Sequence, residues 1–171
     1  MLIKKRRNYL FFEVMIIIAF INFNAFTQEL PRVAITTFAI INGSVSFNEA
    51  DVVTELFTAK LVTSDKVNIV NRHISDRVIT EMRLEPADWK CKEKTTEIGN
   101  LLNADILIKG QFMKMDEKIY WSVTMIDLES AEKLCFHIKR INRIDRAPLN
   151  LKRLSSRVLG EIRIRNNRRV R

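Results

Sequence analysis

The sequence predicts a single α+β domain with a mixed sheet, in the order β-α-β-α-α-β-β-β-α. Three observations predict it: an early run that is apolar on both faces, middle segments with apolar residues at helical spacing, and late segments that alternate apolar and polar residues. About 145 residues follow a distinct N-terminal segment, which is the size of one domain. With 47% hydrophobic residues, the chain can build a core.

The N-terminal segment has the parts of a secretory signal. Lys4–Arg7 are all basic, and the mostly apolar stretch Tyr9–Phe23 follows them. Glu13 interrupts this stretch, and crossing a bilayer takes about 20 apolar residues. These features predict an exported protein, periplasmic or membrane-associated in the cell envelope, and favour a cleaved signal over a short membrane anchor.

Small residues place the predicted end of this leader. Ala25 and Thr27 suit cleavage before Gln28, and no cysteine that could carry a lipid precedes Cys91. We therefore expect residues 1–27 to be the signal peptide or anchor, 28–164 the folded domain, and 165–171 a basic disordered tail.

The first half of the domain predicts two strands and three helices. Arg32–Ile41 is apolar on both alternating faces, which is typical of a strand covered on both sides. A turn at 42–44 and a cap at Ser46 or Asn48 precede a helix over Glu49–Val62. Its core-facing stripe is predicted to comprise Val52, Val53, Leu56, Phe57, Lys60 and Leu61.

The next segments are shorter. Val67–Asn71 predicts a strand, and Ser75–Leu84 and Thr95–Leu102 predict helices. Gly99 lies inside the last of these, where glycine costs about 1 kcal/mol relative to alanine. We therefore expect a close approach of backbone to backbone at Gly99.

The second half predicts a meander and a closing helix. The three strands are Asp105–Met115, Lys118–Leu128 and Lys133–Ile141, with turns at 116–117 and 129–130. A helix over Pro148–Ile164 follows them.

The formal net charge of +9 comes from the two ends of the chain. Residues 138–171 carry a net of +10 and the leader +3, which leaves about −4 for the body between them. The basic side chains predicted to contact an anionic surface are Lys152, Arg153, Arg157, Arg163, Arg165, Arg168, Arg169 and Arg171.

Nucleic acid is the usual partner of such a basic stretch in the cytoplasm. An exported protein meets anionic membrane or cell-wall polymers instead, so the leader disfavours nucleic acid. The alternative is a solvated helix face with a disordered tail.

No pattern predicts a catalytic, cofactor-binding or metal-binding residue. The sequence has no glycine-rich phosphate loop, no G-x-S-x-G elbow and no cysteine–histidine cluster with zinc spacing. His73 is interpreted as a surface histidine at a helix start. Cys135 and His137 share one face of a strand, so a small Cys/His hydrolase is conceivable, but no orienting third group is evident.

The other polar and aromatic candidates have structural interpretations. Glu97, Asp105 and Asp127 are expected on the solvated surface, since no spacing makes them converge. The aromatic residues Trp89, Tyr120 and Trp121 could form a contact surface but are more typical of core or rim positions. Cys91 and Cys135 are expected to remain separate thiols.

Five motifs, in register over about residues 32–138, resemble a known family. They are VAITTF (Val33–Phe38), VNIVNR (Val67–Arg72), ISDRVITEM (Ile74–Met82), EIGNLLNADILIKGQF (Glu97–Phe112) and SVTMIDLESAEKL (Ser122–Leu134). They resemble the family of the curli assembly component CsgG, with the penicillin-binding-protein activator LpoB and the TolB N-terminal domain. The resemblance implies an anticodon-binding-domain-like fold and a non-enzymatic periplasmic module that binds an envelope protein partner in envelope assembly or secretion.

The resemblance also implies an alternative, a subunit of an oligomeric outer-membrane secretion channel, so that homo-oligomers are conceivable. The curli channel is anchored by a lipidated N-terminal cysteine and inserts two long hairpins. This chain has no cysteine in that place, and Asp116-Glu117 predicts a tight turn. An adaptor is therefore the favoured interpretation.

Overall fold

The computed structural model describes residues 29–85, 87–141 and 144–169. Its strands are β1 (Arg32–Ile35), β2 (Ala39–Ile41), β3 (Asn68–Ile69), β4 (Ile106–Met115), β5 (Lys118–Asp127) and β6 (Lys133–Ile141). Its helices are α1 (Phe47–Val62), α2 (Arg72–Glu81), α3 (Lys92–Leu102) and α4 (Ala147–Arg169), with single 3-10 turns at Asp88–Lys90 and Ile144–Arg146. The predicted α+β domain with a mixed sheet is confirmed. The predicted leader lies outside the described residues.

The sheet has the strand order β3-β1-β4-β5-β6, and β2 also pairs with β4. Strand β1 is parallel to β3 and β4, whereas β4, β5 and β6 form an antiparallel meander. The β4–β5 turn is the predicted one, because Asp116 and Glu117 adopt positive φ angles of 47° and 59°. Strand β6 therefore lies at one edge of the sheet.

The single long first strand predicted over Arg32–Ile41 is wrong, because it is interrupted between β1 and β2. At the interruption the Thr37 amide donates to Oδ1 of Asp76 (2.8 Å), and the Phe38 amide donates to Oγ1 of Thr54 (3.1 Å). These amides are satisfied by side chains instead of the ladder, so the chain changes direction without leaving buried donors unpaired.

Helices α1 and α4 cover one whole face of the sheet. Phe38 lies at the centre of this core, with its ring 5.7 Å from that of Phe57, 6.1 Å from that of Phe112 and 6.0 Å from that of Trp121. Gly110 makes room for it, since a Cβ there would lie 2.3 Å from Cδ1 of Phe38. Trp121, a candidate for a contact surface, is thereby a core residue.

The predicted cap of α1 is confirmed, but its predicted stripe is partly wrong. Oγ of Ser46 accepts from the Glu49 amide and the Glu49 carboxylate accepts from the Ser46 amide, which forms a capping box. That hydrogen bond lowers the pKa of Glu49. The buried residues of the helix are Ala50, Val53, Thr54, Phe57 and Leu61. Val52 and Leu56 are exposed, because only a stripe centred on Val53 and Phe57 faces the sheet.

Helices α2 and α3 cover only part of the second face. Ile98 and Leu102 of α3 pack on Ala34 of β1, Leu107 of β4 and Leu128. Gly99 is the expected close approach, since a Cβ there would lie 3.1 Å from Cβ of Leu128. Helix α2 begins earlier than predicted because the Asn71 side chain caps it through the His73 amide (2.9 Å).

Helix α4 continues five residues beyond its predicted end at Ile164. The expected disordered tail is therefore wrong for residues 165–169, and Arg165 is buried. None of the helices within the described ranges is both long and apolar enough to cross a membrane.

Candidate functional site

Helices leave much of the second face of the sheet uncovered over β5 and β6, although Ser122 and Ile126 of β5 are buried there. We call the uncovered region the open sheet face. Its residues are Met113, Tyr120, Thr124, Phe136 and Ile138, which the register places side by side (Met113 opposite Tyr120, Thr124 opposite Phe136). Phe136 and Ile138 expose 55% and 49% of their surface. Two exposed apolar side chains on one strand face, next to a tyrosine and a methionine, are typical of a protein-binding surface.

Lys109 marks the border between the covered and open parts of this face. Its Nζ atom lies 3.3 Å from the centroid of the Trp89 ring, which makes a cation–π contact. Burial lowers the pKa of Lys109 from 10.5 to about 8. Trp89, another candidate for a contact surface, thus shields this lysine, whereas Tyr120 lies on the open sheet face itself.

The opposite face of β6 packs against α4. Arg157 donates from Nη1 to Nδ1 of His137 (3.3 Å), and Lys139 donates to Oδ1 of Asn150. Burial, helped by the charges of Arg157 and Lys139, lowers the pKa of His137.

These contacts argue against the Cys135–His137 nucleophile pair. Burial and the negative charge of Glu161 raise the pKa of the Cys135 thiol, which disfavours the reactive thiolate. His137 directs Nδ1 to Arg157, a cation that cannot serve as the orienting carboxylate of a triad. The arrangement has a structural role instead, since it docks α4 along β6.

The basic residues of α4 divide into two groups. Lys152, Arg153, Arg157, Arg163 and Arg168 are exposed and have no carboxylate partner among the salt bridges of the described residues. Arg165 and Arg169 are engaged with carboxylates; Arg169 is still exposed, but Arg165 is buried, so the expectation of contact with an anionic surface does not fit Arg165. Arg171 lies outside the described residues.

The carboxylates engaged by Arg165 and Arg169 lie at the foot of the sheet, where β4 begins and β5 ends. Arg165 pairs with Asp127, and Arg169 pairs with Glu129 and approaches Asp105 at 3.5 Å. The expectation that Asp127 is solvated is wrong, because it is buried in this cluster. A cleft of about 570 Å³ opens beside the cluster. Its charged groups are already paired with one another, so the cluster is structural.

A second ion cluster lies at the opposite end of the sheet and was not anticipated. Arg72 donates to Oδ1 of Asp51 and Oγ1 of Thr37 (both 2.6 Å) and pairs with Glu55 (2.6 Å). Burial alone would lower the pKa of Arg72, but these carboxylates outweigh it and raise that pKa. Separations of 21 and 35 residues carry no local sequence signal, so only the fold reveals this cluster.

The remaining candidates lie apart from one another. His73 and Glu97 are exposed on separate helices, and Cys91 and Cys135 are free thiols as expected. Across the described ranges, no group of three histidine, cysteine or acidic side chains has the geometry of a metal site.

Fold and surface together define a small α+β domain with an open, partly apolar sheet face. The family model of the curli production assembly/transport component CsgG matches residues 19–126, and the chain belongs to this family. No curated protein sequence matches significantly.

Solved structures share the fold at low sequence identity. The hypothetical protein CT253 of Chlamydia trachomatis is 12% identical, with a TM-score of 0.55 over 78% of this chain and 98% of that one. The LpoB C-terminal domain of Salmonella enterica is 16% identical, with a TM-score of 0.49 over 68% of this chain and 87% of that one. The lipoprotein GNA1162 of Neisseria meningitidis is 9% identical, with a TM-score of 0.48 over 66% of this chain and 81% of that one.

Proposed function

We propose that this protein is a non-enzymatic, exported module of the cell envelope that binds a protein partner during envelope assembly or secretion. The observation that carries the proposal is the open sheet face, where Phe136 and Ile138 are exposed because no helix of the described residues covers them. Membership of a family named for assembly and transport supports an envelope role. The leader predicted over residues 1–27 supports export.

The proposal is tested by site-specific photo-crosslinking in intact cells, combined with fractionation. A photoreactive amino acid replaces Phe136 on the open sheet face, and in the matched control it replaces Val62, an exposed apolar residue at the end of α1. We expect an adduct with an envelope protein from position 136 only. Retention of the protein in the cytoplasm, or no adduct from any position on the open sheet face, would refute the proposal.

A second contact is proposed for the outer side of α4. The basic residues of this helix far outnumber its acidic ones, since Glu161 is the sole acidic residue between Ala147 and Arg169. Each basic residue close to an anionic membrane contributes about 1 kcal/mol. Binding of the purified protein to vesicles with and without phosphatidylglycerol tests this contact. A Lys152→Glu/Arg163→Glu variant that binds anionic vesicles as well as the parent does would rule it out.

A further inference from the structure

We propose that the outer edge of β6 binds an extended segment of a partner protein as an added strand, and that this segment alternates apolar and acidic residues. The inference rests on the proposed function and deepens it. It assigns the surface and the chemistry of the partner.

The edge itself supplies the backbone groups for such a contact. Strand β6 is the last in the sheet order, and its ladder is formed with β5. Within the part of the chain that the structure describes, no strand pairs with its other side. Alternate residues of an edge strand present N–H and C=O groups that an extended peptide can pair with. At nine residues, Lys133–Ile141 is long enough for several such hydrogen bonds.

One face of an added strand would lie beside the open sheet face. Phe136 and Ile138 are two residues apart and point to the same side. Side chains at alternate positions of the added strand would therefore meet them as cross-strand neighbours. Apolar residues at those positions would remove the exposed surface of both side chains from water.

The other face of an added strand would lie beside basic groups. Arg157 contacts His137, and Asn150 contacts Lys139, so this side of α4 runs along β6. Arg153 lies one turn before Arg157 and is exposed. The alternate side chains of the added strand would thus meet cations, which favours acidic residues there.

The same charges argue against a second copy of this chain as the occupant. Lys133 and Lys139 lie on the edge strand, with Arg153 beside it. Pairing two identical edges would bring these like charges together, and edge lysines are a common means of preventing such association. Glu161 interacts with Cys135 near the other end of the strand, so the acidic side chains of the partner are best placed beside Lys139 and His137.

Synthetic peptides test the inference on the purified full chain by fluorescence anisotropy. The probe alternates valine and glutamate over nine residues. One control has the same composition in separate valine and glutamate blocks, and the other is the alternating peptide N-methylated at every amide. We expect each control to bind about tenfold more weakly or worse, because the first lacks the alternation and the second cannot donate backbone hydrogen bonds.

Protein variants locate the contact. Phe136→Thr and Arg153→Glu should each weaken binding of the alternating peptide about tenfold. Val62→Thr and Arg77→Glu, at exposed positions on α1 and α2, should leave it unchanged. Hydrogen exchange should show new protection in β6 upon peptide binding, while α1 remains unaffected.

Four results would overturn the inference. Equal binding of all three peptides would show that only their shared negative charge is recognised, without strand pairing. Binding to anionic vesicles that Arg153→Glu abolishes, without any peptide binding, would assign these cations to lipid. Sedimentation showing dimers that Phe136→Thr dissociates would assign the edge to a second copy. A crosslink from position 136 in cells without strand pairing by any peptide would leave the proposed function standing and refute strand addition.

Discussion

The guanidinium group of Arg165 donates from Nε to Oδ2 of Asp127 at the foot of the sheet, where the two side chains expose 5% and 6% of their surface. Asp127 also accepts hydrogen bonds from the amides of Glu129 (2.9 Å) and Ser130 (3.0 Å), which shape the β5–β6 turn. This pair ties the last helix to the end of β5, beside the start of β4.

Removing one partner should therefore be strongly destabilising. Arg165→Met leaves the Asp127 carboxylate buried without its counter-charge and should lower the free energy of unfolding by about 3 kcal/mol. Arg163→Met, on the exposed side of the same helix, should change it by about 0.5 kcal/mol or less. Urea unfolding measures both. Similar losses in the two variants would contradict the structural role of the pair.

The same pair predicts an acid-sensitive component of stability. Burial works to raise the pKa of Asp127, but the hydrogen bonds from Arg165, Ser130 and Glu129, with the charge of Arg165, together outweigh it and hold the pKa below its usual 3.8. A carboxylate with a lowered pKa adds stability above its unfolded-state value, and this is lost as the pH falls through the folded-state value. Between pH 6 and pH 2 the free energy of unfolding, measured with urea, should fall less steeply in Arg165→Met than in the parent. An unchanged slope would show that Asp127 does not contribute.

Lys109 predicts a dependence of the same sign at alkaline pH, where stability again rises with pH. Its folded-state pKa of about 8 lies below its usual 10.5, so the unfolded state binds more protons between these values and stability rises with pH. The rise should be only about 1 kcal/mol, because the side chain is partly solvated and screened. The free energy of unfolding should be higher at pH 10 than at pH 7 in the parent and in the control Lys118→Met, but not in Lys109→Met. A rise that survives in Lys109→Met would assign it to other groups.

Two glycines of different surroundings should respond in opposite directions to alanine. At Gly110 the new methyl group would overlap the Phe38 ring, at 2.3–2.5 Å from three of its atoms, and should cost about 1–3 kcal/mol or more. At Gly160, in α4, nothing lies within 4 Å of the added atom, so alanine should stabilise by about 0.5–1 kcal/mol. Thermal unfolding of both variants tests these expectations. A lower melting temperature for Gly160→Ala than for the parent would contradict the open surroundings of Gly160.

Local patterns predicted the elements well where one residue type dominates the conformation. The alternation in Lys118–Leu128 and Lys133–Ile141 predicted β5 and β6 to within one residue, since a period of two has few alternatives. Of the two predicted caps of α1, Ser46 and Asn48, the structure uses Ser46, which forms a local capping box with Glu49. The five motifs led to the family whose model matches residues 19–126.

The errors lie where distant residues decide the outcome. Thr54 and Asp76 divide the first strand, although they lie 16 and 39 residues from the amides that they accept from. Arg165 and Arg169 were predicted to belong to a disordered basic tail. In the structure they pair with carboxylates at positions 105, 127 and 129, and the helix continues through both residues. Charge patterns in a sequence do not reveal which opposite charges the fold brings near.

The candidate site shows the same division. Phe136 and Ile138 were predicted as strand residues, but exposure of a strand face depends on which helices cover it. Helices α2 and α3 cover the second face of the sheet only as far as Lys109. Much of that face is therefore uncovered over β5 and β6. The basic residues on α4 were identified from sequence, whereas the alignment of Arg157 with His137 along the sheet edge was not.

The sequence by itself determined the α+β class, the order of the main elements, the family and the expected export of the chain, because periodicity, capping and leader composition are local properties of the chain. Tertiary structure alone decided which basic side chains remain exposed, where the first strand is divided and that one edge and one half-face of the sheet stay open. Those features depend on contacts between residues far apart in sequence, whose energies are set by burial and by the partners that burial brings together.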